Sequence, residues 1–307
     1  MRKSIFTKFL IALTVFILTA TTCFSQSGSG GKTINSAKAL EEYLDSQPAN
    51  SPDKPIKVSM GANELMLPKI RDVLNYADKY VSLNLTGDAL TIIPAGAFKG
   101  CKTLVSITIP NSVTRIENAA FSGCTSLTSI TIPNNVTSIG GSAFSGCTSL
   151  TNVTIPNSVT RIENAAFSGC TSLTNVTIPN SVTRIEWGAF KRCNSLTSIT
   201  IHNSITEIGQ HAFEDCISLI SVTIGSGVIW IGDSAFFGCK KLASVTFQGT
   251  ITANNFGSYT YYNVTYKEYT DFVLPFHGDL DKKYLAGGPG TYTTTAPVND
   301  KSVWTKK

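Results

Sequence analysis

Cysteines, histidines and hydroxyl residues are the side chains of this 307-residue chain that could do chemistry, and their spacing decides which kind. Seven of the eight cysteines, Cys101, Cys124, Cys147, Cys170, Cys193, Cys216 and Cys239, recur every 23 residues. A metal site fails on spacing: there is no CxxC, and His202, His211 and His277 do not recur beside the thiols. Nucleophilic catalysis fails similarly, because the serines are repeated positions with no histidine–acid pair beside them. Disulfides between neighbouring rungs about 4.8 Å apart lie within Cα range, yet side chains that point the same way fit bridge geometry poorly. The cysteines read instead as a ladder of buried thiols, small filler in a core. An active site needs unlike residues converging at one place, whereas Ile109–Thr131 and Ile155–Thr177 differ only where Ser129-Ile130 becomes Asn175-Val176. Such copies present like residues many times, which suits binding. No catalytic residue, metal or cofactor is expected.

The elements that carry these residues follow from the same period. Phe98, Phe121, Phe144, Phe167, Phe190, Phe213 and Phe236 precede each cysteine by three, and Leu104, Leu127, Leu150, Leu173, Leu196, Leu219 and Leu242 follow by three. Within a unit, Leu127, Ile130 and Ile132 are spaced LxxIxI, ending in the apolar–polar–apolar alternation of a half-buried strand. Pro133-Asn134 turns the chain, Val136 and Ile139 mark a second inward segment, and an Ala-Phe pair opens a tight turn toward the next cysteine. One unit cannot bury its own apolar residues, but stacked units bury each column continuously. The fold class expected is a repeat solenoid of 23-residue units in the leucine-rich-repeat range, with a parallel β-sheet on one face and short turns elsewhere.

The pattern LTSITIPNSVTRIENAAFSGC, with its IP step, AF pair and closing Cys, resembles the BspA-type leucine-rich repeats of surface proteins from host-associated bacteria. The resemblance covers residues 98–247. It implies an extracellular curved solenoid, with members described as adhesins for host matrix proteins, host cells or other bacteria. Pro110, Pro133, Pro156 and Pro179 stand directly after the strand, where ordinary leucine-rich repeats lead toward an Asn turn.

The residues between the apolar strand positions show what such a face would present. Thr108, Thr131, Thr154, Thr177, Thr200, Thr223 and Thr246 occupy the outward place, and two residues earlier stand Ser106, Ser129, Asn152, Asn175, Ser198, Ser221 and Ser244. Two columns of short hydroxyl and amide groups can donate and accept hydrogen bonds to a protein or glycan. Threonine also favours exposed sheet without any ligand. Flat threonine ladders are similar to those of ice-binding β-solenoids, which carry paired Thr columns where this chain has Ser or Asn in the second. Past the turn, Arg115-Ile-Glu117, Arg161-Ile-Glu163 and Arg184-Ile-Glu186 predict a solvated lateral face of weak ion pairs. Trp187 and Trp230 interrupt the small residues of this face and, if exposed, are binding hot-spot candidates.

Hydrophobic content of 42% with 15% charged residues excludes a disordered polyelectrolyte. Three of the charges behind the net +5 lie on Arg2, Lys3 and Lys8, so nucleic acid, which needs a dense basic patch, is not an expected partner. Residues 1–25 read as a secretory signal, with those basic residues ahead of the apolar run Phe9–Ala20, which is too short to span a bilayer. Cleavage before Gln26 is one reading, and a lipid anchor on Cys23 is the other. Residues 26–31 read as a flexible linker. Residues 32–97 supply an α/β cap and first atypical repeat: a helix through Leu40, Tyr43 and Leu44, a strand at Ile56–Met60, a second helix begun by Pro68, and a first strand at Val81–Leu85. Residues 98–247 form the solenoid, and residues 248–307 a β-rich cap followed by a loose tail. Seven of the ten tyrosines lie between Tyr259 and Tyr292, read as packing over the last rung in preference to a binding patch. The functional expectation is a secreted or surface-displayed, non-enzymatic binding protein that engages host or microbial surface macromolecules. The alternative is a structural envelope or matrix component without a specific ligand.

Overall fold

The computed structural model describes residues 31–252, 255, 257, 262–263, 268–269, 275–278 and 280–307. The expected leader, the lipid anchor on Cys23 and most of the linker lie outside the described residues, as do the side chains of the tyrosines between Tyr259 and Tyr269. From Gly31 onward the chain is one compact unit.

Its first part alternates strands and helices: β1 (Lys32–Ile34), α1 (Ala37–Asp45), β2 (Ile56–Gly61), α2 (Leu67–Ala77) and β3 (Val81–Thr86). Ser36 starts α1 by accepting the Ala39 N–H at 3.1 Å, and the helix buries Leu40 and Leu44. Pro68 sits in the first turn of α2, which buries Leu67, Ile70 and Leu74 and ends at Asp78 in the left-handed region, φ 50°. The three strands pair in parallel, β1 on β2 and β2 on β3. Two helical crossovers thus build the first layers of the sheet that the repeats extend. The strand β1 was not expected from the sequence, because three residues are too few for a period to register.

Each repeat contributes one strand to the face and a two-residue strand to a second, lateral wall. The lateral strands are β4 (Ile92–Ile93), β6 (Arg115–Ile116), β8 (Ser138–Ile139), β10 (Arg161–Ile162), β12 (Arg184–Ile185), β14 (Glu207–Ile208) and β16 (Trp230–Ile231). The face strands are β5 (Leu104–Thr108), β7 (Ser129–Thr131), β9 (Asn152–Thr154), β11 (Asn175–Thr177), β13 (Ser198–Ile201), β15 (Ser221–Ile224) and β17 (Ser244–Phe247). Equivalent residues face each other across the rungs: Thr108 pairs with Thr131, Thr154 with Thr177, and Thr200 with Thr223. Between β3 and β5 the register slips at Val81/Ser82, which marks the atypical first unit.

The interior is a set of ladders. From Phe98 to Phe236 successive rings stack with centroids 5.1–5.5 Å apart and planes within 10°. All seven rings are at most 1% exposed, so the phenylalanine column is the seam of the core. The seven repeat cysteines are free thiols and buried. From Cys124 to Cys239 each S–H donates to the carbonyl of the phenylalanine in the preceding unit at 3.1–3.3 Å, as Cys170 does to Phe144. Burial pushes the Cys170 thiol up to about 12 and holds Cys147, Cys193 and Cys239 well above the ordinary thiol range. These groups are packing elements with a satisfied donor.

After β17 come β18 (Tyr262–Asn263), β19 (Glu268–Tyr269), α3 (Leu280–Gly287), β20 (Gly290–Thr293) and β21 (Thr305–Lys306). β20 closes the sheet by pairing antiparallel with β17, and β21 pairs with β20. The cap imitates one more rung. Phe276 stacks on Phe236 at 4.8 Å, and the Pro275 carbonyl accepts the Phe236 N–H at 2.8 Å, as Ala235 does for Phe213 one unit earlier. Two corrections to the sequence reading follow. A short helix, α3, forms ahead of the Gly-Gly-Pro-Gly run, where no helical period was legible. The expected loose tail is ordered, because Trp304 is buried and its indole N–H donates to the His277 carbonyl at 3.0 Å. Tyr284 and Tyr292 are buried packing, and the Tyr284 hydroxyl bridges the Gly249 carbonyl and the Ile251 N–H.

Candidate binding faces

The parallel register places the predicted hydroxyl columns side by side. Thr108, Thr131, Thr154, Thr177 and Thr200 are exposed, with Ser129, Asn152, Asn175 and Ser198 exposed beside them. Thr223 and Thr246 are half-buried, and Thr246 lies 3.0 Å from the Thr291 hydroxyl of β20. The column expected to run through all seven units is therefore open over five, and at its end Thr246 lies beside the antiparallel cap strand.

Threonines at the corners of the coil behave differently. Thr128, Thr151 and Thr174 donate their hydroxyls to carbonyls of the preceding unit, and so do Thr114, Thr137, Thr183 and Thr206, at 3.1–3.4 Å. The five exposed face hydroxyls make no side-chain hydrogen bond within the described residues. In the second column Asn152 and Asn175 each donate to the neighbouring threonine hydroxyl at 3.3 and 3.4 Å, which fixes the amides without filling their remaining capacity. The face is thus rigid, uncharged and able to offer both donors and acceptors.

The lateral wall is where the repeat stops repeating. Arg161 contacts Glu186, and Arg184 contacts Glu207 in the next unit, with Arg184 Nε 3.5 Å from Glu186, so the expected ion pairs run between rungs as a network. Beyond it lies a surface pocket of about 450 Å³ lined by both Trp187 and Trp230, with Arg184, Glu207, Gln210 and Ile229 among its other walls. Trp187 is 46% exposed, and the His211 ring packs edge-on against it at 5.7 Å. Trp230 is half-buried in β16, in register with Glu207 and two rungs beyond Arg184. The sequence singled out the two tryptophans separately, but it did not gather the other walls. The missed signal is departure from the columns: Ile229 stands where Thr114, Thr137, Thr160, Thr183 and Thr206 stand, and Trp187 where Asn118 and Asn164 stand. Gly209, which lines the pocket, lies close against the preceding unit, as Gly140 does: a Cβ there would come within 2.6 Å of the Glu186 carbonyl carbon.

Among the described residues no three His, Cys, Asp or Glu are grouped as metal ligands would be. Ser204 lies 2.6 Å from His202 Nδ1, a contact the sequence reading did not foresee. The Ser204 hydroxyl donates to the Val182 carbonyl at 3.0 Å, as Ser181 does to Val159, and His202 Nε2 has no carboxylate partner. This serine therefore belongs to the repeat's corner bonding and lacks the orienting acid of a triad. Among the described residues no helix is long and apolar enough to cross a membrane.

Comparison with known proteins agrees with this architecture. Six copies of the BspA type leucine rich repeat region match, over residues 91–220 and 162–273. A leucine-rich repeat protein from Eubacterium ventriosum shares the fold at 23% identity and a TM-score of 0.50, over 64% of this chain and 56% of that one. A leucine-rich repeat protein from T. pallidum is 32% identical over 53% of this chain and 78% of its own, with a TM-score of 0.49. A leucine rich cell surface protein from Faecalibacterium prausnitzii is 20% identical over 71% of this chain and 83% of its own, with a TM-score of 0.34. No curated protein matches. The period, the stacked phenylalanines and the six matched copies together establish that this chain belongs to the BspA-type leucine-rich-repeat family.

Proposed function

We propose that this protein is an exported, non-enzymatic binding protein that attaches to a host or microbial surface macromolecule through the hydroxyl columns of its solenoid face. One observation carries the reading. Five threonine hydroxyls in strand register are exposed and unengaged, while the corner threonines of the same units are engaged with backbone. A preformed array of this kind makes many modest contacts with little ordering of its own side chains on binding. Membership of a family of bacterial repeat proteins supports the surface location, and the export signal read in residues 1–25 accords with it.

The test is a binding screen of the purified protein against matrix proteins, glycans and partner bacteria, repeated with Thr154→Glu and Thr177→Glu together. Both side chains are exposed and lie outside the core, and thermal unfolding of the variant checks that it keeps the fold although the two carboxylates are cross-strand neighbours. Those carboxylates repel or desolvate against any ligand that lies on the face. Saturable binding that falls at least tenfold in the variant supports attachment through the face. Binding to nothing in the screen favours the structural envelope role instead.

A further inference from the structure

Copies made by duplication carry like residues, so a place where unlike residues converge has been built separately from the repeat. On the lateral wall three neighbouring columns change to large side chains: Trp187 replaces Asn118, Gly141 and Asn164 of earlier units, Ile229 the corner Thr, and Trp230 the Arg, Ser or Glu of the five preceding units, while Gly209 repeats the glycine of Gly140. These changes meet in the pocket of about 450 Å³, inside the range of about 300–1,000 Å³ typical of small-ligand sites. Asn255 of the C-terminal cap also lines it, so the cap completes a site that the repeats open.

We infer that this pocket, distinct from the hydroxyl face, binds a neutral pyranose unit of a glycan. The walls select that chemistry by elimination. Trp187, 46% exposed, offers an indole on which the weakly positive C–H face of a sugar ring packs, and Trp230 lines the same pocket. Between them Arg184 donates, Glu207 accepts, and the amides of Gln210 and Asn255 do both, which matches a ligand whose every substituent is a hydroxyl. A cation or an anion is disfavoured because the charges are already committed to one another: Arg184 contacts Glu207, and Glu186 is shared with Arg161. A purely apolar peptide side chain would bury the guanidinium and carboxylate without replacing their water. The His211 ring against Trp187 holds that indole in place, so little order is lost on binding.

Intrinsic tryptophan fluorescence reads the site directly, because Trp304 is buried in the cap and the other two tryptophans line the pocket. The purified protein is applied to an array of neutral glycans and then titrated with the best-bound oligosaccharide and, separately, with tetramethylammonium and inorganic sulfate. Saturable quenching by the oligosaccharide, lost at least tenfold in Trp187→Ala and partly kept in Trp187→Phe, is the expected result. Thermal unfolding of both variants within a few degrees of the parent shows that the loss is local. No saturable change with any neutral glycan overturns the inference, as does tighter response to tetramethylammonium or sulfate. A ligand lost in the Thr154→Glu, Thr177→Glu protein yet retained by Trp187→Ala leaves the face reading standing and removes this one.

Discussion

Replacing Phe167 by alanine probes the central joint of the solenoid. The ring is fully buried and stacks on Phe144 at 5.3 Å and on Phe190 at 5.5 Å, so its removal leaves a void between two rings of the ladder. Phenylalanine-to-alanine changes in cores cost about 3–5 kcal/mol, and the two lost ring contacts place this site in the upper half of that range. For a domain of this size each kcal/mol lowers the melting temperature by about 2–4 °C, giving a fall of roughly 8–20 °C. Because each unit touches its neighbours alone, the defect also weakens coupling between the halves on either side. Circular dichroism during heating and in urea measures both effects: a lower midpoint, and a broadened or split transition. A melting curve within about 2 °C of the parent would show that the phenylalanine ladder does not hold the rungs together.

Two further outcomes follow from buried titratable groups. The repeat thiols should be silent toward a water-soluble disulfide reagent in the native protein at pH 8 and all reactive in denaturant, since Cys170 is pushed up to about 12 by burial. The raised folded values of Cys147 and Cys170 mean that their neutral form is favoured in the fold, so stability should decline as pH climbs above about 9; rapid native labelling of several repeat cysteines would contradict the ladder. Asp281 in α3 is 2% exposed, neither carboxyl oxygen has a hydrogen-bond partner among the described residues, and burial raises it from 3.8 to about 8. The folded state binds its proton more tightly than the unfolded chain does, so the cap should lose stability progressively as pH rises from about 4 to about 8. Asp281→Asn should flatten that dependence and raise the melting temperature at pH 8, and an unchanged pH profile would refute the assignment.

Much of the fold was legible because the repeat states it seven times. Leu127, Ile130 and Ile132 define one buried edge, and the same spacing in every unit leaves parallel stacking as the way to bury all of them. The helices of the N-terminal cap were legible from Leu40, Leu44, Ile70 and Leu74, whose spacing survives without repetition. The C-terminal cap was legible as a β-rich segment with tyrosines packed over the last rung, but not the places of Phe276 and Trp304, which carry no period and are fixed only against the rest of the fold.

The sequence alone determined the rung, its length, the inward columns and the outward threonines, since these follow from local alternation copied at a fixed interval. Tertiary structure decided which hydroxyls remain available and where unlike residues meet. Whether a threonine bonds to the carbonyl of the previous unit depends on its position at a corner or on the flat of the coil, and adjacency across rungs brings Trp187, 43 residues from Trp230 in the chain, into one pocket. Both are properties of side chains placed against the preceding or following coil, which a one-dimensional pattern does not contain.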